Sequence, residues 1–246
     1  MAIVLLGLAV VACSRSDAAD EEVVITPLNG RSNGGGASPS PAVVLATATA
    51  SPVRVQPTAT PSLTELRGYL FPIAGGCLPS GDQLMPNADR SYRNGVHEGI
   101  DFYESDNCTR IGIGTSVVAA RAGRVVRADL SYSDPTSAEM ARYLANPNTE
   151  EALDKFRGRQ VWLDHGGGVV TRYAHLEGIA QGISVGSQVQ AGQLIGYVGE
   201  SGTPESLTQP GTEYHLHFEV SVQADYLGKG LAPGEVRALY QRFFSP

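Results

Sequence analysis

Two imidazoles stand close to the end of the chain, in Tyr214-His215-Leu216-His217-Phe218-Glu219. The alternation of polar and apolar residues is that of a strand. His215 and His217 then share one face, and Leu216 and Phe218 point into a core. Neutral imidazole is the commonest metal ligand, so the pair is half of a metal site, or two surface histidines if no partners exist. Candidate partners stand upstream in His97-Glu98-Gly99-Ile100-Asp101-Phe102. His97 and Asp101 share a face whether the segment is strand or helix, and Gly99 with its β-branched and aromatic neighbours favours strand. Two histidines and an aspartate make a nitrogen-and-oxygen donor set. That set suits catalytic Zn²⁺, which takes three protein ligands and leaves its fourth position open. The chain has five histidines, and His97, His175, His215 and His217 fall in these patterns. His165 ends a strand before a glycine turn and reads as a polar, non-catalytic residue.

Taken in order, Gly95-x-His97-x-Gly99-Ile100-Asp101, Tyr173-x-His175-Leu176 and His215-Leu216-His217-Phe218-Glu219 resemble the lysostaphin-like, or LytM-type, zinc endopeptidases that cut bacterial peptidoglycan. The resemblance runs from about Gly95 to Val222 and includes the flanking stretches Gly114-Thr115-Ser116-Val117-Val118-Ala119-Ala120 and Gly123-Arg124-Val125-Val126. It implies one Zn²⁺ held by His97, Asp101 and His217. It also implies that His175 and His215 line the active site without binding metal, one to carry a proton and the other to stabilise an oxyanion. Tyr173 and Tyr214 adjoin these positions and either shape the groove or pack. The implied fold is a β-rich domain whose groove is floored by an antiparallel sheet, and the implied partner is peptidoglycan. A non-catalytic relative of the same fold, which binds cell wall and activates a separate hydrolase, is the alternative. Such relatives usually lack the metal ligands.

The elements that must position these residues read mainly as short strands. Val117–Ala120 leads into Arg124–Ala128. Gln160–His165 turns at Gly166-Gly167-Gly168 into Val169–Leu176, and glycines punctuate Val185–Val198. Regular short strands with glycine turns predict an antiparallel sheet or sandwich with an open groove. Residues 134–157 break the pattern as a helical insertion. Thr136 with Glu139, and Asn148 with Glu151, have capping-box spacing, and Gly158 ends the second segment. A last helix is predicted from Gly234 to Phe244, burying Val236, Leu239, Tyr240 and Phe243. The insertion and Gly202–Glu213 are both expected to wall the groove and narrow substrate choice.

Ala2–Ala12 is an uninterrupted apolar run of signal-peptide length, too short for a conventional transmembrane helix. It ends in Val10-Val11-Ala12-Cys13-Ser14, which resembles a bacterial lipobox lipidated at Cys13, although no Lys or Arg precedes the run. Residues 14–65 read as a linker. Their Asn33–Ser62 portion is mostly Gly, Ala, Ser, Thr, Pro and Val with Arg54 as its only charge, too poor in apolar bulk to offset the entropy of ordering it. The catalytic domain is expected over residues 66–246, extracytoplasmic, in the cell envelope, either membrane-anchored as a lipoprotein or secreted through an ordinary signal, and monomeric. An oxidising compartment allows Cys77 and Cys108 to pair, which would fix the loop carrying His97. No cysteine spacing suits a thiolate zinc site. A net charge of −7 without basic clusters excludes a nucleic-acid partner.

Overall fold

The computed structural model describes residues 66–93, 95–223 and 225–246. The apolar leader with Cys13 and the linker stretch 14–65 lie outside them. Twelve short strands and four α-helices follow in chain order. The strands are β1 (Asp89–Arg90), β2 (Gly95–Val96), β3 (Ile100–Phe102), β4 (Ser116–Val118), β5 (Gly123–Ala128) and β6 (Val161–Asp164). They continue with β7 (Val169–Ala174), β8 (Leu176–Ile179), β9 (Gln188–Val189), β10 (Leu194–Val198), β11 (Leu216–Val222) and β12 (Asp225–Tyr226). The helices are α1 (Ser137–Ala145), α2 (Glu150–Phe156), α3 (Glu205–Thr208) and α4 (Pro233–Phe243). None is long and apolar enough to cross a membrane, among the described residues.

The main sheet has seven strands in the order β12-β11-β7-β6-β5-β9, with β3 also paired to β11. Its ladders are antiparallel. A three-stranded sheet, β4-β10-β8, lies beside it in the same core. The fold is mainly β, as the strand periodicity predicts. On β11 the residues Leu216, Phe218 and Val220 are fully buried on the core side, while His217 and Glu219 occupy the other side. Helix α4 lays Val236, Leu239, Tyr240 and Phe243 on that core, and Phe243 stacks on Tyr69 with centroids 4.0 Å apart.

The predicted insertion is present as α1 and α2. The Thr136–Glu139 capping box forms: Thr136 Oγ1 accepts from the Glu139 N–H at 3.3 Å, and the Glu139 carboxylate accepts from the Thr136 N–H at 2.8 Å. The second box does not. Thr149, one residue later than Asn148, caps α2 by accepting from the Ala152 N–H at 3.2 Å. That choice sets Glu150 and Glu151 in the first turn, where they complement the helix dipole. Helix α4 begins one residue earlier than expected, with Pro233 in its first turn, a position that needs no donated N–H.

Two strand expectations need correcting at the site. Val169–Leu176 is not one strand, because His175 adopts φ +59° and divides it into β7 and β8. His97 lies between β2 and β3 in irregular backbone rather than within a strand. In both cases the ladder breaks where a histidine leaves the sheet to reach the cavity.

Candidate metal centre

Three adjacent strands bring the histidines and the aspartate together. Asp101 on β3 and His217 on β11 are direct cross-strand partners, and His217 on its other side faces Ala174, next to His175. Opposed residues on paired strands hold their Cβ atoms about 5 Å apart, so the register alone brings these side chains into reach. Gly99 lets the segment carrying His97 lie this close. An added Cβ there would stand 2.6 Å from the Phe218 carbonyl oxygen and 2.9 Å from His217 Cε1.

His97 Nε2, Asp101 Oδ1 and His217 Nδ1 converge. His97 Nε2 lies 3.0 Å from Asp101 Oδ1, His217 Nδ1 lies 2.7 Å from that oxygen, and the two nitrogens are 3.1 Å apart. A tetrahedral ion about 2.0–2.1 Å from each donor would separate them by about 3.3 Å. The trio therefore needs to open by only about 0.2–0.6 Å per pair to make a zinc cradle. The other ring nitrogens explain the orientation. His97 Nδ1 donates to the Met85 carbonyl at 3.1 Å, and His217 Nε2 donates to Glu219 Oε1 at 2.9 Å. With those N–H groups engaged, a neutral ring can turn only its lone pair towards the centre. All three residues are buried.

The charges favour a cation there. Burial pushes His97 down to about 4 against the pull of Asp101. Burial also opposes charge on His217, yet hydrogen bonds to Asp101 and Glu219 prevail and raise it to about 9. Asp101 stays well below the ordinary carboxylate range: burial opposes its charge, but His97 and His217 outweigh burial. Arg90 meets the second Asp101 oxygen at 3.1 Å. A proton on His217 Nδ1 occupies the lone pair a metal would take, so the two compete for one position.

His175 and His215 face the same cavity of about 610 Å³. His175 Nδ1 donates to the Ser201 carbonyl at 2.9 Å, and His215 Nδ1 donates to the Glu213 carbonyl at 2.7 Å. Each neutral ring then keeps Nε2 as its basic atom, and on His215 that atom stands 3.8 Å from Asp101 Oδ1. Burial lowers both rings below the ordinary histidine value, so they remain uncharged near neutral pH and each carries a lone pair on Nε2. Tyr103 stacks on His215 at 4.3 Å between centroids, and its hydroxyl donates to the Glu213 carboxylate at 2.7 Å.

The profile of peptidase family M23 matches residues 95–228. The chain belongs to that family. No curated protein sequence matches it. Among solved structures it is similar to a zinc-containing peptidase from Vibrio cholerae, with 22% identity over 65% of this chain and 39% of that one, at a TM-score of 0.43. It is also similar to the catalytic domain of the antimicrobial peptidase lysostaphin from Staphylococcus simulans, with 26% identity over 55% of this chain and 74% of that one, at 0.35. A third is a putative M23 peptidase from Pseudomonas aeruginosa, with 23% identity over 69% and 54% of the two chains, at 0.37. The chain thus spans about two-fifths of the length of the first of these.

The other residues singled out in the sequence, His165, Tyr173 and the two cysteines of the body, do not line the cavity. His165 points to the Ala122 carbonyl and Thr171 Oγ1, at 2.9 and 2.8 Å. Tyr173 is fully buried, and its hydroxyl accepts from the Ala120 N–H at 2.8 Å, so it packs rather than shaping the groove. The sulfurs of Cys77 and Cys108 lie at bonding distance, 2.09 Å. Sequence reasoning missed Arg90, Tyr103 and Arg157 as neighbours of the site. Arg90 and Tyr103 flank the His97–Asp101 motif, which is the one signal that could have flagged them.

Proposed function

We propose that this chain is a zinc endopeptidase that hydrolyses peptide bonds in peptidoglycan stem peptides or cross-bridges. His97, Asp101 and His217 hold the metal, while His175 and His215 serve as proton carriers. The observation that carries the reading is the convergence of three donor atoms within 3.1 Å of one another, beside two neutral imidazoles with free Nε2 atoms. Bound Zn²⁺ would supply the Lewis acid that polarises the scissile carbonyl and acidifies water. The chain's own residues do the rest. His215 or His175 accepts a proton at Nε2 and returns it to the leaving amine. The partner histidine stabilises the developing oxyanion. Tyr103 holds the His215 ring flat against its own, and Ser201 and Glu213 fix both tautomers. Tyr92, Leu144, Leu153 and Phe156 add apolar surface along the substrate cavity.

The body from residue 66 onward is the catalytic domain in this reading. Cys13 carries the lipid, and residues 14–65 tether the domain so that it reaches peptidoglycan in the cell envelope. The test is digestion of defined muropeptides with the purified chain, products identified by mass, with and without Zn²⁺ and with His217→Ala. Zinc-dependent cleavage lost in the variant is expected. Cell-wall binding without any cleavage would instead identify an activator of another hydrolase and sink the catalytic reading.

A further inference from the structure

The helical insertion ends on the metal centre. Helix α2 stops at Phe156, Arg157 caps it, and Gly158 at φ +67° turns the chain back into β6. That glycine lies so close to Ser201 that a Cβ would overlap the Ser201 carbonyl, which seats Arg157 against the floor of the site. The Arg157 side chain is 15% exposed. Its Nε donates to Glu219 Oε1 at 2.5 Å, and its Nη2 donates to Glu98 at 2.5 Å. Its backbone carbonyl accepts from the His175 N–H at 2.8 Å.

Glu219 is 1% exposed and carries three partners. Oε1 accepts from both Arg157 and His217 Nε2, and Oε2 accepts from Arg172 at 2.9 Å. A carboxylate so deeply buried persists only when paired and fully hydrogen-bonded. Arg172 engages the far oxygen alone. Arg157 therefore helps fix the oxygen that holds the His217 ring, and without it that oxygen keeps only the imidazole it is meant to orient.

We propose that Arg157 is a positioning residue for the metal centre: through Glu219 it aims Nδ1 of His217 at the donor cluster, and through its carbonyl it pins His175. The insertion is thereby part of the site's framework as well as a wall of its cavity. His175 needs the support. A non-glycine residue in the left-handed region carries about 1–3 kcal/mol of strain. Two hydrogen bonds hold it there, from its N–H to the Arg157 carbonyl and from Nδ1 to the Ser201 carbonyl. The proposal rests on reading the donor trio as a metal site, and partners that orient a ligating imidazole typically govern metal affinity about 10- to 100-fold.

The experiment is titration of the metal-free full chain with Co²⁺, followed by visible absorption and by competition with a chelator. Arg157→Gln should weaken Co²⁺ binding about 10- to 100-fold and alter the absorption envelope. Arg157→Lys should recover part of that loss, keeping the charge without the planar fork. Glu219→Gln should weaken binding comparably, and the double variant Arg157→Gln/Glu219→Gln should lose little more than either, because both act in one chain of contacts. Arg142→Gln, on the exposed side of α1, should bind as wild type does. Arg157→Gln with wild-type affinity and spectrum, whatever its thermal stability, overturns the proposal. Should that variant fail to fold, the double variant decides, since it removes one charge of each sign, and wild-type affinity there also overturns the proposal. A wild-type chain that takes up no Co²⁺ overturns the metal reading itself and this inference with it.

Discussion

Removing the disulfide should lower stability without loosening the metal centre. The bridge joins residues 31 apart and encloses Arg90, His97 and Asp101. For a loop of that length the chain-entropy model gives about 12 cal/mol/K, or about 3.7 kcal/mol at 25 °C, acting on the unfolded chain. In a body of this size each kcal/mol shifts Tm by about 2–4 °C, so Cys77→Ser/Cys108→Ser should melt roughly 7–15 °C lower. The proposed metal centre should be indifferent, because the enclosed donors, His97 and Asp101, are held by other contacts. Asp101 is fixed by its pairing with His217 and by Arg90. His97 is fixed through the Met85 carbonyl and through backbone hydrogen bonds with Ala88 and Asn87. Asn107 also ties the loop ends together, bonding the Cys77 N–H at 3.2 Å and its carbonyl at 3.0 Å. The assay is calorimetric melting of both proteins with and without Zn²⁺. At a metal concentration 100 times Kd, binding adds about 2.7 kcal/mol, and the same increment should appear in each. A drop in Tm below about 3 °C, with the wild-type bridge verified by mass, refutes the entropic argument. A metal increment that shrinks in the variant refutes the claim that the ligands are independently held.

Other perturbations separate packing, substrate contact and electrostatics. Gly99→Ala places a methyl 2.6 Å from the Phe218 oxygen and should cost about 1–3 kcal/mol in urea unfolding while weakening Zn²⁺ affinity; wild-type behaviour on both measures would contradict the close approach. Leu153→Ser and Phe156→Ser leave Arg157 in place, so each should raise KM on cell-wall substrate about tenfold with metal affinity unchanged, and an unaltered KM removes the insertion from the substrate path. Asp154 is opposed by burial but held below its ordinary carboxylate value by hydrogen bonds from Arg127 and Gln160. Its contribution to stability is therefore present above the unfolded value of about 3.9 and lost as pH falls through the lower folded value. Asp154→Asn should accordingly be less stable than wild type at pH 7 and equal to it in strong acid; a gap that persists at low pH assigns the effect to packing.

Much of the candidate site was legible because its signals are local. Alternation around His215 and His217 follows from strand geometry, and the Thr136–Glu139 box and the apolar face of α4 follow from helix geometry. Each needs only a few neighbouring residues. The sequence motifs also named the five residues that the cavity brings together. Local patterns failed where tertiary contacts overrode them. Val169–Leu176 has strand character throughout, yet His175 breaks from the ladder because carbonyls at Arg157 and Ser201 capture its N–H groups. Thr149 rather than Asn148 caps α2, since both residue types make good caps and only the path of the incoming chain decides between them.

By itself the sequence determined the donor types, their order and the strand periodicity that puts His217 beside Asp101. Only the tertiary structure decided which nitrogen of each ring faces the centre. That choice depends on acceptors supplied from elsewhere: the Met85 carbonyl for His97, the Ser201 carbonyl for His175, the Glu213 carbonyl for His215 and the Glu219 carboxylate for His217. Arg157 shows the limit most clearly. It lies 62 residues from Glu219, at the end of an insertion whose sequence reads as an ordinary helical hairpin. A guanidinium's partner is fixed by where the folded chain leaves a buried carboxylate, and spacing along the sequence carries no trace of that position.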